Sequence, residues 1–174
     1  MSAKNKIGLG GSCHWCTEAI FQSLKGVANV SQGWIEPEDI SAGFSEAVIV
    51  EFDPDIISLE NLIEIHLHTH SSTSEHAMRS KYRSAVYTFH DDQEVPAKQA
   101  IEILQKEFSE TIITKVIPFK TFQLNDQQYL DYYYKNPEKP FCKTFIDPKL
   151  TMLMNQFSSH VDVEKLQSSE RERM

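Results

Sequence analysis

The order of β-rich and helix-periodic runs constrains this chain more than any other feature. Residues 7–9, followed by Gly10-Gly11, read as a short strand, and residues 18–25 carry Ile20, Phe21 and Leu24 at helical spacing before Gly26 stops the helix. Residues 27–35 and 47–52 are rich in β-formers and are separated by a turn at Glu36-Pro37-Glu38-Asp39. Ser58 has the position of an N-cap, with Leu59, Leu62, Ile63 and His66 on one helical face behind it. After a polar loop over residues 69–78, residues 84–89 predict a strand. Residues 91–108 predict a long helix on Val95, Ala97, Ala100, Ile101 and Leu104. Residues 114–119 and 122–124 read as extended chain, 126–134 as a short helix and 150–157 as another, with Pro137, Pro140 and Pro148 breaking the segment between these helices. Strand, helix, strand, strand, helix, strand, helix, strand is an α+β order. It predicts a small mixed or antiparallel sheet with helices packed on it.

With 174 residues, a single domain is expected, with its core over about 7–157 and a charged tail over 163–174 that frays. A chain of this size buries roughly 70% of its unfolded surface, so it needs no covalent staple. No apolar run of about 18 residues is present, so no membrane span is expected. The first residues lack the apolar core of a signal peptide, which points to a cytoplasmic protein. The net charge of −8, with no compensating basic cluster, argues against nucleic-acid binding. Three cysteines in a cytoplasmic setting are catalytic, metal-binding or incidental rather than a disulfide framework.

Two of those cysteines stand in Cys13-His14-Trp15-Cys16-Thr17-Glu18, between the first strand and the first helix. A helix start offers unpaired N–H groups and partial positive charge, which lower a thiol's pKa, and a second thiol nearby traps an oxidised sulfur as a disulfide. A redox pair is therefore the leading meaning, ahead of half a zinc site or two small buried side chains. Structural zinc takes four Cys/His ligands in paired spacings, whereas Cys142 stands alone and His66, His68 and His70 read as a helix end and loop; no metal is expected. A thioredoxin-like domain would place its CxxC in a different order of elements.

The segment resembles the Gly-Cys-Phe-Trp-x-x-Glu signature of the peptide methionine sulfoxide reductase A family. Further segments match in order: Leu24-Lys25-Gly26-Val27, Ser45-Glu46-Ala47-Val48 with Val50-Glu51-Phe52-Asp53-Pro54, Lys81-Tyr82-Arg83-Ser84-Ala85, Gln127-Gln128-Tyr129-Leu130, Lys135-Asn136-Pro137, Phe141-Cys142 and Ile146-Asp147-Pro148-Lys149-Leu150. Together they span about residues 7–157. The resemblance implies a two-layer ferredoxin-like sandwich and reduction of methionine S-sulfoxide, free or in oxidised proteins. It implies no bound cofactor and a thioredoxin or other dithiol as external reductant; a monomer is expected. It makes Cys13 the nucleophile and Glu46 the acid that protonates the leaving oxygen, with a pKa raised by burial beside Trp15 or Phe44. Trp15 would wall the substrate methyl group, Tyr82 would hydrogen-bond the substrate, and Cys142 or Cys16 would resolve the sulfenic acid formed on Cys13.

Several family positions differ. His14 replaces the Phe of the signature and makes the methyl pocket more polar, and Ser12 replaces the preceding Gly. Trp34 stands for a hydrogen-bonding Tyr, Gly43-Phe44-Ser45 for Gly-His-Ala, and Ser71 for an Asp. The glycine-rich loop before Tyr82 is shortened. Substitutions gathered around the pocket imply altered substrate preference or lower activity, with a non-catalytic binding module or thiol redox sensor as the alternative.

Overall fold

A computed structural model describes residues 5–37, 43–75 and 81–166. The elements are β1 Asn5–Gly10, α1 His14–Gln22, β2 Val27–Pro37, β3 Ser45–Phe52, α2 Leu59–His68, β4 Ala85–Thr88, α3 Asp91–Leu104, β5 Lys115–Leu124, α4 Tyr132–Lys135 and α5 Asp147–Phe157. Local chemistry explains several boundaries. Ser58 caps α2, its hydroxyl accepting the Asn61 N–H at 3.0 Å, and Gly26 makes the turn after α1 at φ 83°. At the start of α3, Gln93 accepts the backbone N–H of His90, which reproduces the logic of a capping box.

Several boundaries differ from the sequence reading: β2 runs on through Glu36 and Pro37, read there as a turn, because both pair with β5, and α5 begins at Asp147 rather than 150. The helix expected to run to residue 108 ends at Leu104 and tightens into a 3₁₀ turn over Gln105–Glu107. The two extended pieces after residue 114 are one strand, β5. The helix expected over 126–134 is split into a turn at Gln127–Tyr129 and the short α4, because Leu130 is extended and Asp131 is left-handed at φ 54°.

β3 lies antiparallel between β1 and β2, which are therefore parallel to each other and joined across it by α1. β1 likewise lies antiparallel between β3 and β4, with α2 in the connection. The resulting order is β4-β1-β3-β2. β5 then pairs antiparallel with β2 through residues 119–124 and parallel with β4 through 115–118, so the mixed sheet closes into a ring rather than lying open. The change of partner falls at Pro118–Phe119, where proline offers no N–H to either ladder.

Closure gives β3 two apolar faces. Val48, Val50 and Phe52 pack on the helix side with Ile7, Leu9, Ile20, Phe21, Leu62 and Ile63. Ala47 and Ile49 point the other way and, with Ile35, Ala85 and Tyr87, fill the ring. This is the period-two alternation of a strand with both faces buried. Glu46 shares the parity of Val48, so it faces the helix side, where α1 begins.

Gly33 shows how tightly β2 meets β5. A Cβ there would lie 2.0 Å from the carbonyl oxygen of Gln123. Gly33→Ala is expected to destabilise the protein by about 1–3 kcal/mol or more, as overpacking does, and to lower its urea midpoint. An unchanged midpoint would show that this strand pair yields freely.

The chain end returns to α1. Val161 bridges Leu24, and the Lys165 ammonium donates to the carbonyls of Leu24 at 2.8 Å and Val27 at 3.0 Å. Residues 163–166 thus form a held turn, although the sequence reading has them fraying. The rest of that tail (167–174), part of the turn after β2 (38–42) and part of the loop before Tyr82 (76–80) lie outside the described residues. Among the described residues, no helix is long and apolar enough to cross a membrane.

Candidate active site

β1 delivers the chain through Gly10-Gly11 to Cys13, the N-cap of α1. Gly11 sits at φ 150°, and a Cβ on it would lie 2.4 Å from the His70 ring, so only glycine lets this loop lie flush on the end of α2. Cys16 lies one turn into the helix, its N–H bonded to the Cys13 carbonyl at 3.1 Å. Cys16 is buried and Cys13 half-buried, and all three cysteines of the chain are thiols.

The Cys13 and Cys16 thiols are neighbours that act on each other's titration. The hydrogen bond to Cys16, then burial, pushes the Cys13 thiol far above its ordinary value, while the same bond lowers Cys16. The pair shares a proton. The first comes off readily because the remaining S–H stabilises the thiolate, and the second is held back for the same reason. The helix start therefore does not make Cys13 a low-pKa thiolate by itself, as its position suggests. The Cys13 side chain makes no capping bond, and its neighbour and burial outweigh the helix end.

Glu46 reaches the same place from β3. It is 5% exposed, and its Oε1 accepts the His14 backbone N–H at 3.2 Å. His14 Nδ1 lies 3.2 Å from the same oxygen, without the alignment of a hydrogen bond, and Lys81 Nζ lies 3.5 Å from Oε2. Burial raises the Glu46 pKa, against the opposing pull of the His14 N–H and of Lys81. The groups around it are His14, Lys81 and Trp34, its cross-strand partner, not the expected Phe44, which is 43% exposed. The Trp34 ring meets the His14 ring edge-on at 5.3 Å.

Trp15 is roofed rather than open. Tyr132 stacks on it at 4.0 Å and 3°, Tyr129 lies at 5.8 Å, and Phe141 meets it edge-on at 5.3 Å. Sequence reasoning did not single out these three aromatic residues, although all stand within or beside segments that resemble the family. Glu18 fixes the arrangement. It is buried, and its two oxygens accept the backbone N–H groups of Asp131 and Tyr132 at 3.0 and 3.1 Å, anchoring Tyr132 over Trp15.

Burial raises the Glu18 pKa from 4.5 to about 7. A carboxyl group whose folded pKa is raised favours the native state fully below its unfolded pKa and loses that contribution as pH rises through the folded one. For Glu18 the window runs from 4.5 to about 7, and the loss is on the order of 3 kcal/mol. Denaturation midpoints measured from about pH 5 to about pH 8 are expected to fall less steeply in Glu18→Gln than in the parent. Parallel profiles would show that Glu18 is not the group responsible.

Cys142 opens a wide turn over Cys142–Ile146 that leads into α5. It is fully buried, its S–H donates to the Asn136 carbonyl at 3.5 Å, and it is close enough for its charge to raise Cys16. A cleft of about 670 Å³ opens on this side, lined by Cys13, Cys16, Tyr82, Phe141, Phe145, Lys149 and Met152 along with Ser71 and the end of α2. Tyr82 thus joins the two sulfurs there, whereas His14, Trp15, Trp34, Phe44 and Glu46 do not line it. His66 Nε2 meets the Gly10 carbonyl at 2.8 Å and His70 Nε2 meets Ser84 Oγ at 2.8 Å, so both imidazoles brace the loop behind the site.

Two neighbouring thiols one helical turn apart, backed by a buried carboxyl group and opening on a cleft, are the equipment of a thiol-dependent oxidoreductase. Residues 5–161 match the family model for peptide methionine sulfoxide reductase, and the chain belongs to that family. A peptide methionine sulfoxide reductase MsrA of Sulfolobus acidocaldarius is 31% identical over 89% of this chain and 96% of its own length. The reduced form of Mxr1 from Saccharomyces cerevisiae shares the fold at a TM-score of 0.70 and 22% identity, covering 82% of this chain and 91% of that one. Mxr1 in complex with Trx2 aligns at a TM-score of 0.59 and 22% identity, over 74% of this chain and 84% of the other.

Proposed function

We propose that this site reduces the S epimer of methionine sulfoxide, free or within oxidised proteins. Cys13 attacks the sulfoxide sulfur as a thiolate when the proton the pair shares rests on Cys16, and Glu46, whose hold on a proton burial strengthens, gives that proton to the departing oxygen. That oxygen, now a hydroxyl, ends on the Cys13 sulfur as methionine leaves, so the sulfoxide sulfur is reduced by two electrons and Cys13 becomes a sulfenic acid. A second thiol condenses with it, releasing water and forming a disulfide. The sum is one sulfoxide and two thiols in, one methionine, one disulfide and one water out. Cys16, already in contact with Cys13, is the nearer resolving thiol, and Cys142 in the same apolar cluster is the next.

The observation that carries this reading is the meeting of Glu46 with the start of α1. Its Oε1 accepts the N–H of the residue after Cys13 at 3.2 Å, which supports a role for this buried carboxyl group as the acid next to Cys13. Tyr82, on the cleft, positions the substrate. His14, Trp15 and Trp34 form the wall behind the sulfur, and Phe44 contacts substrate only at the rim. A disulfide so formed needs an external dithiol, and the complex of Mxr1 with Trx2 supports a thioredoxin in that role. We read the chain as one monomeric, cytoplasmic domain without a bound cofactor. The order β4-β1-β3-β2 with α1 and α2 supports a ferredoxin-like sandwich, to which β5 adds the closure.

The test is to supply each epimer of a methionine sulfoxide substrate with dithiothreitol and follow methionine. Turnover of the S epimer and not the R epimer is expected. No turnover of the S epimer would overturn the reading.

A further inference from the structure

His14 is a buried imidazole with an unmet need. It is 5% exposed, and neither Nδ1 nor Nε2 has a hydrogen-bond partner. A buried polar atom left unpaired is costly, so the Nδ1 lone pair calls for a partner outside the protein's own hydrogen bonds. The ring faces two further donors. Cys13, His14 and Glu46 each offer one ligand atom, and the three atoms lie within 4.8 Å of one another.

We infer that Cys13, His14 and Glu46 form a binding site for zinc or a similar borderline transition-metal ion. The donor set of one sulfur, one nitrogen and one oxygen suits such an ion. In tetrahedral zinc the usual bond lengths put the ligand atoms about 3.4–3.6 Å apart. His14 Nδ1 and Glu46 Oε1 are already 3.2 Å apart. The sulfur closes the remaining gap of up to about an ångström by rotation of the Cys13 side chain.

Charge also balances. A thiolate and a carboxylate neutralise a divalent ion, which lowers the cost of holding it in a buried place. Lys81 engages Oε2 of Glu46, and Oε1, which accepts the His14 N–H, keeps a second lone pair for the ion. Three protein ligands leave a fourth position, and Cys13 lies on the cleft, so water or an incoming ligand reaches it. The site differs from a Cys13–Cys16 chelate, because Cys16 takes no part in it. If the reductase reading holds, metal and substrate compete, because an ion on the Cys13 sulfur occupies the lone pair that attacks the sulfoxide.

The experiment is a cobalt(II) titration of the fully reduced protein, with excess reductant removed and oxygen excluded, followed by displacement with zinc. One equivalent is expected to bind, with thiolate-to-cobalt absorption and the visible bands of a four-coordinate ion. Cys13→Ser is expected to abolish the sulfur band. His14→Phe and Glu46→Gln are expected to weaken binding by about tenfold or more, while Cys16→Ser and Cys142→Ser keep the band. X-ray absorption of the zinc-loaded unmodified protein needs no variant to fold, and a single sulfur neighbour among nitrogen and oxygen is expected. Two sulfur neighbours, a band lost in Cys16→Ser but kept in the His14 variant, or no binding at about 100 µM metal would each overturn the site. Binding is read without turnover, so its failure leaves the reductase reading standing. An inactive protein that still binds cobalt through these three residues counts only against the reductase reading.

Discussion

Cys13→Ser is expected to abolish sulfoxide reduction, by on the order of a thousandfold or more, because a nucleophile removed from a working unit takes most of the unit's rate with it. Serine keeps the size of the side chain but not a group that attacks sulfur at neutral pH. Cys16→Ser and Cys142→Ser are each expected to keep one rapid turnover, since the attack needs neither thiol. They differ in the step after it. Without Cys16, the sulfenic acid on Cys13 loses the thiol in contact with it and is expected to persist long enough for trapping by dimedone and mass spectrometry. Trapping in Cys142→Ser rather than Cys16→Ser would exchange the two resolving roles. Single-turnover activity surviving in Cys13→Ser would move the nucleophile elsewhere.

Glu46→Gln is expected to lower kcat by about 10²–10⁴, the range for a positioned general acid. The pH dependence carries the sharper signature. Burial raises the Glu46 pKa, so the proton is present at low pH and lost as pH rises through that raised value. The parent is therefore expected to lose kcat along an alkaline limb. Loss of the thiol proton works the other way, since rising pH makes more thiolate. In Glu46→Gln the amide has no such proton to lose, and the alkaline limb is expected to vanish from the residual rate. A limb that survives unchanged would assign it to another group. Lys81→Met supplies a control of opposite sign: without the ammonium 3.5 Å from Oε2, the Glu46 pKa rises further and the limb moves to higher pH.

Much of the fold was legible because its signals are local. Ser58 with Leu59, Leu62 and Ile63 marks a capped amphipathic helix, and the run from Ala47 to Phe52 can hardly be anything but a strand. The missed boundaries share a cause. Nothing in the run from Asp126 to Tyr134 announces that Asp131 turns left-handed. It does so where the Glu18 carboxylate, 113 positions away in the chain, receives its N–H. The closure of the sheet is equally non-local, since one strand changes partners in mid-course between β4 and β2.

The site divides along the same line. The sequence by itself determined which residues are present: two thiols two apart at a helix start, a third far along the chain, and a family signature with histidine at its centre. Spacing along one helix is a local property, so the Cys13–Cys16 contact was legible from it. Which of the two sulfurs keeps the proton was not, because that depends on burial and on the bond between them. Only the tertiary structure brought Glu46 from another strand to the His14 N–H, roofed Trp15 with Tyr132, and left Phe44 at the surface. Contacts between residues distant in the chain are set by how strands stack and loops close, and the polarity of each residue alone does not encode them. The same holds for His14. In the sequence it is one changed letter, and in the fold it is a buried ring that offers a nitrogen beside a sulfur and a carboxylate.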